Sequence, residues 1–201
     1  MDVIWYAPWA NLLTTNRISM ETLPGYWKWD DAVSPEMCDI LLKERGVLEE
    51  IQAQVEEDVA YKVNTTARNS KVCWAKQNHW VESILYNHAL YANELAGWAY
   101  HIGRPEAVQL TAYGENNFYG WHEDWAPLAV TPTVRKLSVV LLLSDPNEFE
   151  GGQFQFDEDT SIEMKRGTLL VFPSFLRHQV APVTKGMRYS AVCWVHGPRT
   201  F

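Results

Sequence analysis

Long apolar runs are missing from this sequence, and so are cysteine pairs, internal repeats and blocks of like charge. Each absence narrows the reading. With no apolar stretch of about 20 residues, no transmembrane helix is expected. The N-terminal apolar stretch around Ile4 to Leu13 is too short to span a bilayer, is interrupted by Pro8 and Asn11, and has no basic leader. Cys38, Cys73 and Cys193 are far apart and odd in number. That argues against a disulfide framework and a cysteine zinc site, and it makes the reducing cytoplasm the expected compartment. A formal net charge of −8 repels polyanions, so bulk nucleic-acid binding is not expected. No feature of the pattern sets an oligomeric state.

What is present suits one domain over residues 1–201, with 47% hydrophobic and 21% charged residues. Ten tryptophans imply either a heavily packed core or an aromatic-lined site. Residues 1–33 are aromatic and irregular, with Tyr26–Trp29 as a first strand. Ser34-Pro35-Glu36 reads as a helix start, running to Gly46. Val47 to Val55 is open between strand and helix. Residues 56–78 are polar and read as a long loop, either a substrate lid carrying Arg68 and Trp74 or a mobile surface excursion. The clearest helix spans His79 to Tyr100, where Val81, Ile84, Leu85, His88, Ala92, Leu95, Ala96 and Ala99 form one apolar stripe. On that stripe His88 reads as a hydrogen-bonded core histidine. His79 and His101, at the two ends, read as caps or surface groups.

From Ala107 the pattern changes to short β-rich runs: Val108–Tyr113, Phe118–Asp124, Lys136–Leu143, Gln153–Phe156, Ser161–Met164, Thr168–Phe172, His178–Val180 and Met187–Val195. Glycine and proline punctuate them, at Gly114, Pro127, Pro132, Gly151-Gly152, Gly167, Pro173, Pro182 and Gly186. The expectation is an α+β chain with a mainly β core, a sandwich or jelly roll with helices packed on one sheet. Residues 1–106 would form a strand, helix and loop support, and residues 107–201 the core.

Within that core lies Trp121-His122-Glu123-Asp124-Trp125. Side chains alternate along a strand, so His122 and Asp124 share one face and Glu123 takes the other. An imidazole and a carboxylate side by side are two parts of the facial triad that holds non-haem Fe(II) with open positions. His178 follows 56 residues after His122, and a jelly roll can bring the two strands together. Arg188, ten residues further on, offers a guanidinium fork for a carboxylate in the barrel interior. A lone HxD is a weak signal; HxD, a distal His and then an Arg on β-rich sequence is a far more specific one.

These stretches resemble the 2-oxoglutarate- and Fe(II)-dependent dioxygenases, in their prolyl 4-hydroxylase-like branch. The resemblance rests on Tyr113 through Asp124, on Leu137–Ser144 followed by Glu150-Gly151-Gly152, on Gly167 through Pro173, and on His178 through Trp194. It covers roughly the last half of the chain, and less specifically residues 23–45. It implies a double-stranded β-helix in which His122, Asp124 and His178 hold Fe(II) and Arg188 binds the distal carboxylate of 2-oxoglutarate. O2 would be the oxidant, succinate and CO2 the co-products, and ascorbate a candidate reductant. Members of the branch often carry a tyrosine where this chain has Leu142. Leucine cannot hydrogen-bond, which leaves Tyr113 or Thr168 to take over.

Alternation places Ser190, Val192 and Trp194 on the face of Arg188, and Gln109 and Thr111 on the face of Tyr113. Ser190 is thus expected beside the co-substrate. Trp194 is expected either at the substrate pocket or in plain core, with Tyr119, Arg68 and Trp74 as further candidate substrate residues. Trp121 and Trp125 are expected away from the pocket, and His196 at a rim or surface. Three functions remain open. One is hydroxylation of a peptidyl or protein side chain, proline first, since extended proline-rich peptides dock on aromatic grooves. A second is the same chemistry on a free amino acid or small metabolite. The third is a jelly roll that binds a partner without oxidation.

Overall fold

The computed structural model describes residues 25–57, 60–125 and 132–199. The apolar stretch at Ile4 to Leu13 and the break at Pro127 lie outside them. In chain order the first part contains β1 (Trp27–Trp29), α1 (Pro35–Arg45), β2 (Ile51–Gln52), β3 (Val55–Glu57), β4 (Ala60–Lys62), β5 (Arg68–Asn69), β6 (Lys71–Trp74) and α2 (Trp80–Leu95). The second contains β7 (Gln109–Tyr113), β8 (Phe118–His122), β9 (Thr133–Leu142), β10 (Phe149–Gly151), β11 (Phe154–Gln155), β12 (Ser161–Ile162), β13 (Leu169–Pro173), β14 (His178–Val180), β15 (Val183–Gly186) and β16 (Arg188–Pro198).

Both helices start where the sequence signals them. Ser34 accepts a hydrogen bond from the Met37 amide, and Pro35 opens α1. His79 caps α2 by accepting from the Val81 amide through Nδ1. The second helix stops at Leu95, five residues short of the expected Tyr100. The reason is local. Gly97 and Ala99 take left-handed backbone, with φ of 69° and 54°. The Asn93 amide then holds both the Tyr100 carbonyl and the Tyr100 N–H, at 2.9 and 3.0 Å. Buried Val81, Leu85, Ala89 and Ala92 form the core-facing stripe. His88 donates its Nδ1–H to the Ile84 carbonyl, 2.8 Å away, and meets the Trp29 ring edge-on, a half-buried, hydrogen-bonded histidine at the edge of the core.

The strands pair antiparallel into a seven-stranded sheet, β1-β13-β9-β16-β7-β6-β2, and a five-stranded sheet, β12-β11-β14-β8-β5. Two ribbons, β10 with β15 and β3 with β4, complete the described pairing. This is the expected jelly roll. Alternation on β9 divides the core. Leu137, Val139 and Leu141 pack outward under α1 and α2, while Val140 and Leu142 pack between the sheets with Phe154, Leu170 and Phe172. Truncating one of these leucines to alanine costs about 2–5 kcal/mol.

One expectation is corrected here. Residues 56–78 are not a single loop or a free lid. They include β4, β5 and β6, and β6 sits inside the larger sheet between β7 and β2. The strands escape notice because they are two to four residues long and mostly polar; on β6 only Val72 and Cys73 are buried. Arg68 and Trp74 are thereby fixed to the barrel wall.

Candidate active site

The smaller sheet brings the two histidines together. His178 on β14 pairs directly with His122 on β8, while Val180 pairs with Tyr119. One residue, Gln179, thus opposes two, and the extra residue on β8 makes a bulge at Gly120-Trp121. The bulge puts Tyr119 and His122 on one face although they are three apart, with ring centroids 3.4 Å apart and nearly parallel.

Each imidazole is oriented the same way. Nδ1 of His122 lies 2.8 Å from the Gly120 carbonyl, and Nδ1 of His178 lies 2.8 Å from the Leu176 carbonyl. A carbonyl only accepts, so both Nδ1 atoms carry a proton, and Nε2 is the atom each ring turns toward the centre of the site. Those Nε2 atoms face Asp124, at 3.5 Å from Oδ1 for His122 and 3.4 Å from Oδ2 for His178. One ligand atom from each of the three residues lies within 4.8 Å of the others.

Asp124 arrives differently from the expectation. Strand β8 ends at His122, and Asp124 sits on the bend beyond it. Its amide donates to the Ser174 carbonyl at 2.9 Å, and its Oδ2 accepts from the Ser138 hydroxyl at 2.7 Å. Ser138 and Ser174 hydroxyls are 2.9 Å apart, and both are fully buried. Burial pushes the Asp124 carboxyl up, but His178 and His122 outweigh it and hold the group well below the usual carboxylate range. Burial pulls His178 down to about 4, against the opposing pull of Asp124. A carboxylate and two imidazoles whose Nε2 atoms converge on it fit a divalent iron that needs open positions.

Arg188 opens β16 beside Tyr113 on β7, its register partner. Its guanidinium is 2% exposed, lies 5.5 Å from the Tyr113 ring centroid, and donates to the Ser190 hydroxyl at 3.4 Å. Burial pulls its pKa down from the ordinary guanidinium value. Among the described residues no carboxylate stands within ion-pairing distance of it. Arg188, Ser190, Tyr113, His122, Asp124 and His178 border one inner recess.

A larger cavity of about 710 Å³ adjoins that recess, and Arg68, Gln109, Tyr119, His122, Asp124 and Trp194 border both. Trp74 lines the outer cavity alone. Arg68 is buried, donating to Ser70 and Gln109 at 3.0 and 2.6 Å and lying over the Tyr119 ring. All four candidate substrate residues therefore reach the cavity.

Other expectations change. Thr168 does not border either cavity. Its hydroxyl bonds Asp30 and the Lys165 amide, serving the turn before β13. Of the two residues expected to stand in for a tyrosine at Leu142, only Tyr113 borders the inner recess. Trp121 and Glu123, both expected on the face turned away, border the outer cavity after all, with Arg177 over the Trp121 ring, because the bulge and the bend after His122 break strict alternation. Trp125 borders neither cavity, as expected. His196 stays away from the triad, bonded to Glu106 and Thr133.

Several residues escaped the sequence. Ser138 had a signal: it interrupts the apolar run Leu137–Leu142 of β9, on the parity of Val140 and Leu142. Arg135 and Glu106 had none. They form a two-pronged ion pair at 2.6 and 2.8 Å across 29 residues, with Arg135 lying 4.0 Å over Trp194.

Comparison with known proteins bears out the resemblance. Residues 108–196 match the family model of the 2OG-Fe(II) oxygenase superfamily. A PKHD-type hydroxylase of Xylella fastidiosa (strain M12) is 37% identical over 98 residues, 43% of each chain. The chain spans about half the length of the curated relatives it matches. Among solved structures, the viral collagen prolyl hydroxylase of Paramecium Bursaria Chlorella virus-1, in its 2OG complex, aligns with a TM-score of 0.68 at 22% identity. That match covers 87% of this chain and 97% of the viral one. A Trichoplax adhaerens prolyl hydroxylase in complex with a hypoxia-inducible-factor peptide aligns with a TM-score of 0.62 at 18% identity, covering 85% and 83%. At these identities the structural likeness establishes the jelly-roll fold.

Proposed function

We propose that this chain is an Fe(II)- and 2-oxoglutarate-dependent dioxygenase that hydroxylates a C–H bond of a peptidyl side chain, proline first. One observation carries the reading. The buried His122–Asp124–His178 set shares an inner recess with Arg188, a fully buried guanidinium that no carboxylate of the described chain neutralises. An uncompensated buried charge costs several kcal/mol, about 3–5 when its partner is removed. The distal carboxylate of a bound dicarboxylate supplies the missing partner.

When bound, iron and 2-oxoglutarate supply the oxidising chemistry, with succinate and CO2 as co-products. The chain supplies placement. His122 and His178 present Nε2, and their Nδ1–H bonds to carbonyls lock both rings. Ser138 steadies one oxygen of Asp124. Arg188, with Ser190 and Tyr113 beside it, receives the co-substrate's distal end. Tyr119 stacks on His122 and separates the inner recess from the outer cavity. That outer cavity is wide enough for a residue of an extended peptide. Its wall offers Trp74, Trp121 and Tyr119 to a prolyl ring. The described part before residue 107 belongs to the same domain on this reading, since β6 lies between β7 and β2.

The test is anaerobic reconstitution with Fe(II), then 2-oxoglutarate, ascorbate, O2 and a panel of proline-containing peptides. Succinate and a one-oxygen mass gain on peptide are the expected products. Oxygen transfer only to free amino acids would redirect the reading to a small-molecule hydroxylase. No succinate above the iron-free control would leave a binding module.

A further inference from the structure

Five charged residues other than the triad's Asp124 border the two cavities, and all but one are committed. Arg188 is assigned above to the co-substrate. Arg68 spends its donors on Ser70, Gln109 and the Gln54 carbonyl. Arg135 and Glu106 hold each other, and Glu106 also takes His196. Glu123 is the exception. It lines the outer cavity, is exposed, and among the described residues has no ion pair or side-chain hydrogen bond.

Its position magnifies the point. Glu123 stands between His122 and Asp124, and consecutive Cα atoms are about 3.8 Å apart. A group held by Glu123 at the outer cavity is therefore close to the residue whose C–H bond reacts. The neighbouring wall suits a cation as well. The Trp121 ring is taken by the Arg177 guanidinium, 5.1 Å from its centroid, which leaves Trp74, 42% exposed at the same cavity, as the aromatic face open to a cation. The whole chain carries a net charge of −8, which raises the local concentration of cationic partners.

We propose that Glu123 is a specificity-determining residue that selects peptides with a lysine or arginine next to the hydroxylated residue. This rests on the peptide-hydroxylase reading above and narrows its substrate class.

The experiment compares three peptides that differ only beside the target proline, with lysine, alanine or glutamate there. The Fe(II)- and 2-oxoglutarate-loaded full chain is assayed at low and at physiological ionic strength. The expected kcat/KM ratio of the lysine to the alanine peptide is about threefold to fivefold at low salt, shrinking as salt rises. Glu123→Gln should bring that ratio to one. Glu123→Lys should invert the order and favour the glutamate peptide. Equal kcat/KM values on all three peptides would overturn this inference and leave the hydroxylase reading standing, as would a lysine preference that survives Glu123→Gln. If none of the three is hydroxylated, the peptide reading falls first and this inference with it.

Discussion

Strands β16 and β8 carry the two halves of the site, and they obey different rules. On β16 alternation holds residue by residue. Arg188, Ser190, Val192 and Trp194 border the inner recess, while Ala191, Cys193 and Val195 are sealed into the core beneath the helices. On β8 alternation breaks at Gly120-Trp121, and the third ligand comes from a bend past the strand's end. The cause lies in the neighbours. β16 lies between β7 and the ten-residue β9 and pairs without a break from Arg188 to Val195; its shift against β9 comes only beyond Trp194, at Val195–His196. β8 is flanked only by the two-residue β5 and the three-residue β14, which tolerate an extra residue. Long partners make parity trustworthy, and short partners leave room for a bulge that re-aims side chains.

The largest expected effect tests the irregular strand. Asp124→Asn removes a ligand charge held between two imidazoles, and iron affinity should fall by at least about 100-fold, the upper end for disturbing a metal ligand's support. Glu123→Gln, one residue away, should keep its iron. Metal content after anaerobic loading and desalting reads both. Comparable iron in the two variants would mean that the bulge and bend do not select Asp124.

Next comes the regular strand. Arg188→Ala should raise the Kd for 2-oxoglutarate at least about 30-fold, since truncating a buried charge partner costs about 2–5 kcal/mol. Arg188→Lys should recover part of it, lacking the planar fork. Calorimetry on the Mn(II)-loaded protein measures this. An unchanged affinity for Arg188→Ala sinks the co-substrate assignment. A neighbouring glycine sharpens it. Gly152 has φ +64°, and a Cβ there would sit 2.9 Å from Cδ of Arg188. Gly152→Ala should displace the guanidinium and weaken 2-oxoglutarate binding by about 10- to 100-fold, the range for misplacement near 1 Å. Iron content should stay unchanged. Unaltered 2-oxoglutarate affinity in folded Gly152→Ala would show that the Gly151-Gly152 turn does not seat Arg188.

Much of this was legible in the sequence, and the pattern of misses follows the same division. The HxD pair, the distal histidine and the arginine stand where the motif spacing put them, and the β16 parity put Ser190 and Trp194 beside Arg188. Long apolar strands such as β9 announced themselves. Strands β3 to β6 did not, because two to four residues of mixed polarity carry no periodicity to read. Trp121 was misplaced because a bulge has no signature in one strand's sequence; it exists only against the partner. Thr168 was misjudged for a related reason. Its hydroxyl serves Asp30, 138 residues away, and such a partner is invisible before the chain is folded. The Glu106–Arg135 pair escaped on the same ground.

Ser138 gives the smallest effect and joins the two regimes. It sits on β9, whose long ladder fixes its inward direction, yet it serves the carboxylate that the irregular segment delivers. Removing its hydroxyl leaves Asp124 in place through the Ser174 carbonyl but frees one oxygen to rotate. Ser138→Ala should therefore weaken iron affinity by about 10-fold, the lower end for a ligand's supporting partner. Unfolding stability should fall by only about 1 kcal/mol. Ser174→Ala removes the other member of the hydroxyl pair, so the double variant should lose less than the sum of the singles. A metal titration of the three variants decides the point. If Ser138→Ala binds iron like the parent, the Asp124 bend is rigid by itself and the regular sheet contributes nothing to it. If the losses simply add, the two serines act on separate things and the shared hydrogen bond between them is not part of the support.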